Sequence, residues 1–147
     1  MTELERLLAI EAIKRLKARY FRCVDTKDWD GFATVFAPDV RLDIDVPGTV
    51  LSGPAQIVES VRTALAGCTA VHHGFQAEID ITSATTAKGI WAMEDILRWS
   101  ADSAFPNQAL HGYGHYIETY ELIDGDWLIK TSRLQRLRVD IEAAQKP

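Results

Sequence analysis

The segment from Thr69 to Ile81, T-A-V-H-H-G-F-Q-A-E-I-D-I, limits most narrowly what this chain can become. Taken with the strand period of two, Val71, His73, Phe75, Ala77, Ile79 and Ile81 share one face. Ala70, His72, Gly74, Gln76, Glu78 and Asp80 share the other. Alternation this regular predicts a strand with one buried and one wet face. On that pattern His73 falls among apolar side chains and His72 on the polar side. A buried imidazole needs partners for its ring nitrogens, because an unpaired polar group inside a protein is costly. Two readings of His73 follow. It is a core histidine satisfied by a backbone carbonyl, the commoner case, or a proton-handling group lining an apolar cavity.

The rest of the chain supplies the surroundings. Ala9, Ile13, Leu16, Tyr20 and Val24 recur at helical spacing, so residues 3 to about 25 predict a long helix. Asp28 caps a second, short helix through Trp29, Phe32, Val35 and Phe36, which Ala37-Pro38-Asp39 stops. Val40, Leu42, Ile44 and Val46 alternate with charges as a strand, Pro47-Gly48 turns, and Thr49-Val50-Leu51 returns. Gly53-Pro54 opens a third helix that Gly67 ends. After strand 69–81, the segment Ala87 to Trp99 predicts a strand with Ala87, Gly89, Trp91, Met93, Asp95, Leu97 and Trp99 on one face. Asp95 is the only charge in that row. A long strand from Gln108 to Ile123 and a return from Trp127 to about Arg138 flank the turn signal Asp124-Gly125. Helices first and long antiparallel strands last describe an α+β plan: three helices on a curved antiparallel sheet, forming a cone-shaped barrel whose hollow suits a small ligand.

Within that plan three inward polar groups stand out besides His73. Five residues turn a helix through about 500°, so Asp25 lies about 140° round from Tyr20. Spacing alone does not aim both at one cavity. By themselves, Asp25 reads as a helix-end carboxylate in water, Tyr20 as a core tyrosine whose hydroxyl finds a partner, and Asp95 as half of an ion pair with Arg98 or an arginine of 133–138. Which of His115 and Tyr116 points inward is left open by the pattern.

Composition excludes several classes. The 147 residues suit one domain, 1–147, and 47% hydrophobic content supports a real core. A net charge of −5 with no basic cluster argues against nucleic acid as a partner. No apolar run reaches membrane-span length, and M-T-E-L-E-R does not begin a signal peptide. Cys23 and Cys68 have neither a CxxC nor a metal spacing and fit free thiols in the cytoplasm. The four histidines lack zinc-site spacing and no glycine-rich phosphate loop is present, so neither metal nor cofactor is expected.

Four stretches carry a family resemblance: Y-F-R-C-V-D-T-K-D-W-D-G-F-A-T-V-F-A-P-D-V (20–40), V-H-H-G (71–74), T-A-K-G-I-W-A-M-E-D (86–95) and G-H-Y-I-E-T-Y-E-L-I-D-G-D-W (114–127). Over nearly its whole length the chain resembles the SnoaL-like branch of the nuclear-transport-factor-2-like superfamily. Within it, the chain is most similar to the cofactor-free lyase group of scytalone dehydratase, bile-acid 7α-dehydratase and hexachlorocyclohexane dehydrochlorinase. The resemblance implies an Asp–His dyad at Asp25 and His73, with Tyr20 and Arg136 matching further positions of the bile-acid enzyme. Where scytalone dehydratase has a second histidine, Asp95 or Leu97 stands, which argues against its phenolic polyketide substrate. The resemblance also implies self-association, as a homotrimer in the lyase branch and as dimers elsewhere.

The resulting expectation is β-elimination, of water in the first instance, from a small apolar alicyclic, steroid-like or aromatic substrate. His73 removes the proton, Asp25 orients it and Tyr20 donates a hydrogen bond, while Trp91, Asp95, His115, Tyr116 and Arg136 bind substrate. The alternatives are an isomerase of the ketosteroid type, with Asp95 as a neutral acid, and a non-catalytic binding or assembly domain.

Overall fold

The computed structural model describes residues 1–44 and 48–142. Val46 and Pro47, part of the expected strand end and turn, lie outside the described residues, as does the polar tail beyond Glu142. The chain opens with α1 (Glu3–Thr26). A reciprocal cap starts this helix: Glu5 N–H donates to Thr2 Oγ1, and Thr2 N–H to the Glu5 carboxylate. Its inner stripe buries Ala9, Ile13, Leu16, Lys17, Tyr20, Cys23 and Val24. It ends at Lys27, whose backbone is left-handed at φ 61°.

Next comes α2 (Trp29–Ala33), capped by Asp28, then β1 (Phe36–Asp43), β2 (Val50–Ser52), α3 (Pro54–Ala64), β3 (Cys68–Ile81), β4 (Thr86–Trp99), β5 (Ala109–Ile123) and β6 (Asp126–Glu142). The second helix stops earlier than its apolar spacing suggests. Phe36 belongs to β1, where it is paired with Ile129. The pairing then jumps to Arg41 opposite Thr131, and Ala37-Pro38-Asp39 occupies the irregularity, the place in a sheet where a proline is tolerated.

All six strands form one curved sheet in the order β2-β1-β6-β5-β4-β3. It is antiparallel except at β1–β6, which is parallel, a departure from the expected wholly antiparallel sheet. α1 crosses the concave side against β3 and β6, giving the α+β cone. The core lies between them: Ile13, Phe32, Val35, Val40, Ile57 and Ile129 are fully buried. Among the described residues no helix is long and apolar enough to cross a membrane.

One irregularity decides the site. In β3, Gly74 faces Met93 while Ala77 faces Trp91, so three steps on β3 match two on β4. The extra residue is a β-bulge at Phe75–Gln76, and it reverses which side chains point inward. Beyond the bulge Ala77, Ile79 and Ile81 face the core side, as the simple alternation says. Before it the inward residues are Cys68, Ala70, His72 and Gly74, while Val71, His73 and Phe75 are turned out.

Candidate active site

Asp25 stands in the last turn of α1, where the helix runs against β3. Its Oδ1 lies 2.6 Å from His72 Nδ1, and its Oδ2 accepts the His72 backbone N–H at 2.9 Å. The histidine that Asp25 contacts is therefore His72, not the expected His73. The reason is the bulge, because a strict period of two carried back from Ile81 assigns the wrong parity to every residue before Phe75. His73 lies on the outer face with 49% of its side chain exposed and its Nδ1 3.4 Å from Glu94. The His72 side chain is only 10% exposed.

The pairing has chemical content. Both carboxylate oxygens of Asp25 bind one residue, which fixes ring orientation and backbone together. With Nδ1 engaged by the carboxylate, a neutral imidazole carries its proton there and presents Nε2 as the base. No described residue forms a hydrogen bond with Nε2.

The other expected site residues divide between the two faces of the sheet. Asp95 is buried on the inner face of β4, where Arg136 Nη1 and Nη2 donate to its two oxygens at 2.6 and 2.7 Å. Gly112 lies opposite, and a Cβ there would sit 2.0 Å from Arg136 Nη1 and 2.2 Å from Asp95 Oδ1. The ion pair occupies the space that the missing side chain leaves. Tyr116 points inward from β5, which settles the open alternative. His115 is on the outer face with His111 and Tyr113, so it is not part of the inner site. Trp91 is inward, and its Nε1–H donates to Tyr120 Oη at 2.8 Å. Tyr20 is buried among the rings of Phe21, Phe32, Phe36 and Tyr116.

A buried charge network that the sequence reading missed closes the cone beneath these rings. Lys17 Nζ donates to Glu118 Oε1 at 2.6 Å with both side chains fully buried. Ser132 and Tyr120 hydroxyls also donate to Glu118. The ammonium sits 3.7 Å from the Tyr116 ring centroid, 4.1 Å from that of Tyr20 and 5.0 Å from that of Phe21, a threefold cation–π contact. Burial outweighs the pull of Glu118 and holds the Lys17 amine below the usual lysine range. Burial also pushes the Tyr20 and Tyr116 phenols above their usual range, with the Glu118 charge adding to the effect on Tyr20 and the Asp95 charge adding to that on Tyr116. Both remain neutral hydroxyl donors at ordinary pH. The signal for this network was present: Lys17 follows Ile13 by four residues on the buried stripe, and Glu118 sits between Tyr116 and Tyr120 on one strand face.

Aromatic rings pack near the dyad. Phe21 packs so closely on Gly74 that a Cβ there would meet the ring at 2.5 Å. Four surface cavities are present elsewhere, the largest of them about 510 Å³ beside the start of α1, and none of the four is lined by Asp25, His72, Asp95 or Arg136. The expected void at the dyad is not among them. No group of three or more His, Cys, Asp or Glu side chains among the described residues is arranged to hold a metal ion.

An α+β cone with an inward carboxylate–imidazole pair at the end of its first helix defines the class. The SnoaL-like domain family matches residues 5–133, and the chain belongs to that family. It is similar to a probable cyclase, FGR4, of Gibberella zeae, with 26% identity over 141 residues covering 88% of this chain and 91% of that protein. Among solved structures it is similar to a type 2 hexachlorocyclohexane dehydrochlorinase (LinA), with a TM-score of 0.85, 20% identity, and 98% and 95% of the two chains covered. A scytalone dehydratase-like protein from Novosphingobium aromaticivorans gives a TM-score of 0.85 and 20% identity over 98% and 94% of the chains. At that identity both likenesses bear on the fold.

Proposed function

We propose that this chain is a cofactor-independent lyase that performs β-elimination, of water in the first instance, on an apolar alicyclic, steroid-like or aromatic substrate. The observation that carries the reading is the two-point contact of Asp25 with His72. In this mechanism Nε2 of His72 takes a proton from the carbon next to an activating carbonyl, and Asp25 stabilises the imidazolium as it forms. The electron pair left on carbon forms the double bond and expels the leaving oxygen, which takes the proton back from the His72 imidazolium and departs as water, leaving the imidazole neutral again. Tyr20 and Tyr116, neutral and buried, are the hydroxyl donors closest in kind to what a carbonyl or leaving oxygen needs. The names of the similar structures, a dehydrochlorinase and a dehydratase-like protein, support an elimination. The probable cyclase fits the same base, because ring closure through carbon also starts with proton removal.

The isomerase alternative needs Asp95 as a hydrogen-bond donor. Both its oxygens already accept from Arg136, so it has no donating face to offer, and the elimination reading is the stronger one. We also take the chain to self-associate, as a trimer or a dimer, through the outer sheet face, where Val71, Phe75 and Ile90 are exposed.

The test is a screen of hydroxy-ketones and hydroxysteroids for loss of water, followed by single variants on the substrate found. His72→Ala and Asp25→Asn should each lower turnover about a hundred- to ten-thousandfold. His73→Ala, on the outer face, should stay within a few-fold of the parent. Loss of turnover in His73→Ala with His72→Ala unaffected would reverse the assignment.

A further inference from the structure

The inward cations of this chain come with carboxylates: Lys17 with Glu118, and Arg136 with Asp95. Lys27 does not. Its Nζ is buried and is the one such side-chain atom among the described residues without a hydrogen-bond partner. The carboxylate two residues away, Asp25, already gives both oxygens to His72. Lys27 is held in place by the chain itself. It closes α1 in the left-handed conformation, its backbone N–H donates to Val24 O at 3.3 Å, and its ammonium lies 5.9 Å from the Trp29 ring centroid. Leaving a buried cation without an acceptor costs free energy, so the position is either a defect or a socket for something the protein alone does not supply.

Its place in the fold favours a socket. Cys68, whose thiol lies near enough to couple to the Lys27 amine, shares the inner face of β3 with Ala70 and His72. Cys68 and His72 are four strand residues apart, roughly 13 Å. We propose that Lys27 anchors an anionic tail, a carboxylate, on a substrate whose apolar body carries the reacting carbon to His72. This inference rests on the Asp25–His72 site and narrows its substrate class from apolar to amphipathic: a ring system with an acid group about a short alkyl chain away. The direction of the amine's displacement agrees. Burial holds it below the usual lysine range, with Cys68 and Asp25 offsetting only part of that, so an anion at Nζ would relieve a penalty the folded chain now carries.

The experiment uses two unreactive probes of equal shape, phenylbutyrate and phenylbutyramide, measured by isothermal titration calorimetry at neutral pH. The parent protein should bind the acid about tenfold or more tightly than the amide, the range for one charge-assisted hydrogen bond. Lys27→Met keeps the aliphatic stem and the same backbone requirement, and a melting curve checks its fold. It should bring the acid-to-amide ratio to near one, and Lys27→Arg should restore most of the preference. A parent ratio near one, an unchanged ratio in Lys27→Met, or no saturable binding of phenylbutyrate at millimolar concentration overturns the proposal. The probes undergo no proton transfer, so the outcome is separable from the catalytic reading. His72→Ala that loses turnover but keeps the acid preference supports both, and loss of the preference only in Lys27→Met assigns it to the amine.

Discussion

Replacing Lys17 by methionine is the sharpest physical test of the interior. The side chain fits the same tunnel between Tyr20 and Tyr116, so packing is nearly conserved while the charge is lost. What remains is Glu118, fully buried, with Ser132 and Tyr120 hydroxyls as its donors and no cation. Breaking a buried pair from one side costs about 3–5 kcal/mol, against about 0–1 kcal/mol for a surface pair. For a chain of this length each kcal/mol moves the melting temperature by about 2–4 °C, so Lys17→Met should melt roughly 6–20 °C lower. Adding Glu118→Gln removes the stranded charge and leaves an amide oxygen for the two hydroxyls, so the double variant should recover most of the loss. Urea unfolding followed by tryptophan fluorescence, with unchanged denaturant slopes, gives the free energies. A single variant within about 1 kcal/mol of the parent, or a double variant no better than Lys17→Met, would refute the claim that this pair is buried and mutually dependent.

Three further outcomes follow from the same geometry. Gly112→Ala should push the Asp95–Arg136 pair apart and cost about 1–3 kcal/mol by urea unfolding, the usual penalty for overpacking. Arg136→Lys should fail to restore the forked contact that Asp95 receives, so it should be destabilised almost as much as Arg136→Met. Tyr20, Tyr116 and Tyr120 all have phenols raised by burial, so stability should be fully present below the ordinary tyrosine range, about 10, and should fall as pH rises beyond it. Alkaline difference spectra should then show these three phenols ionising together with unfolding, and gradual ionisation in the native state would count against their burial.

The span of α1 and the inward face of β4 are legible because each rests on a long unbroken period. Every odd residue from Ala87 to Leu97 is buried as its alternation says, and Asp95 was singled out correctly as the charge in that row. The site was legible in its elements and not in its parity. Phe75–Gln76 itself looks like ordinary alternation in the sequence, and Gly74 just before it, a residue that inside a strand often marks a bulge, is the one signal of the break. The period was anchored on the strong apolar end, Ala77 to Ile81, and carried across that break. Asp25 failed the helical-wheel argument for a related reason, because the wheel treats α1 as an isolated cylinder whereas its last turn is pressed against β3, bringing the carboxylate to the His72 N–H. Lys17 was overlooked because a lysine is normally read as a solvated face. These three misreadings share a cause. A cone that curls its sheet around one helix needs a bulge to bend β3, and it needs polar groups inside to satisfy the tyrosines and the charges that come with them. The positions where a simple periodic reading fails, His72, Asp25 and Lys17, are thus positions where the fold has departed from plain core packing.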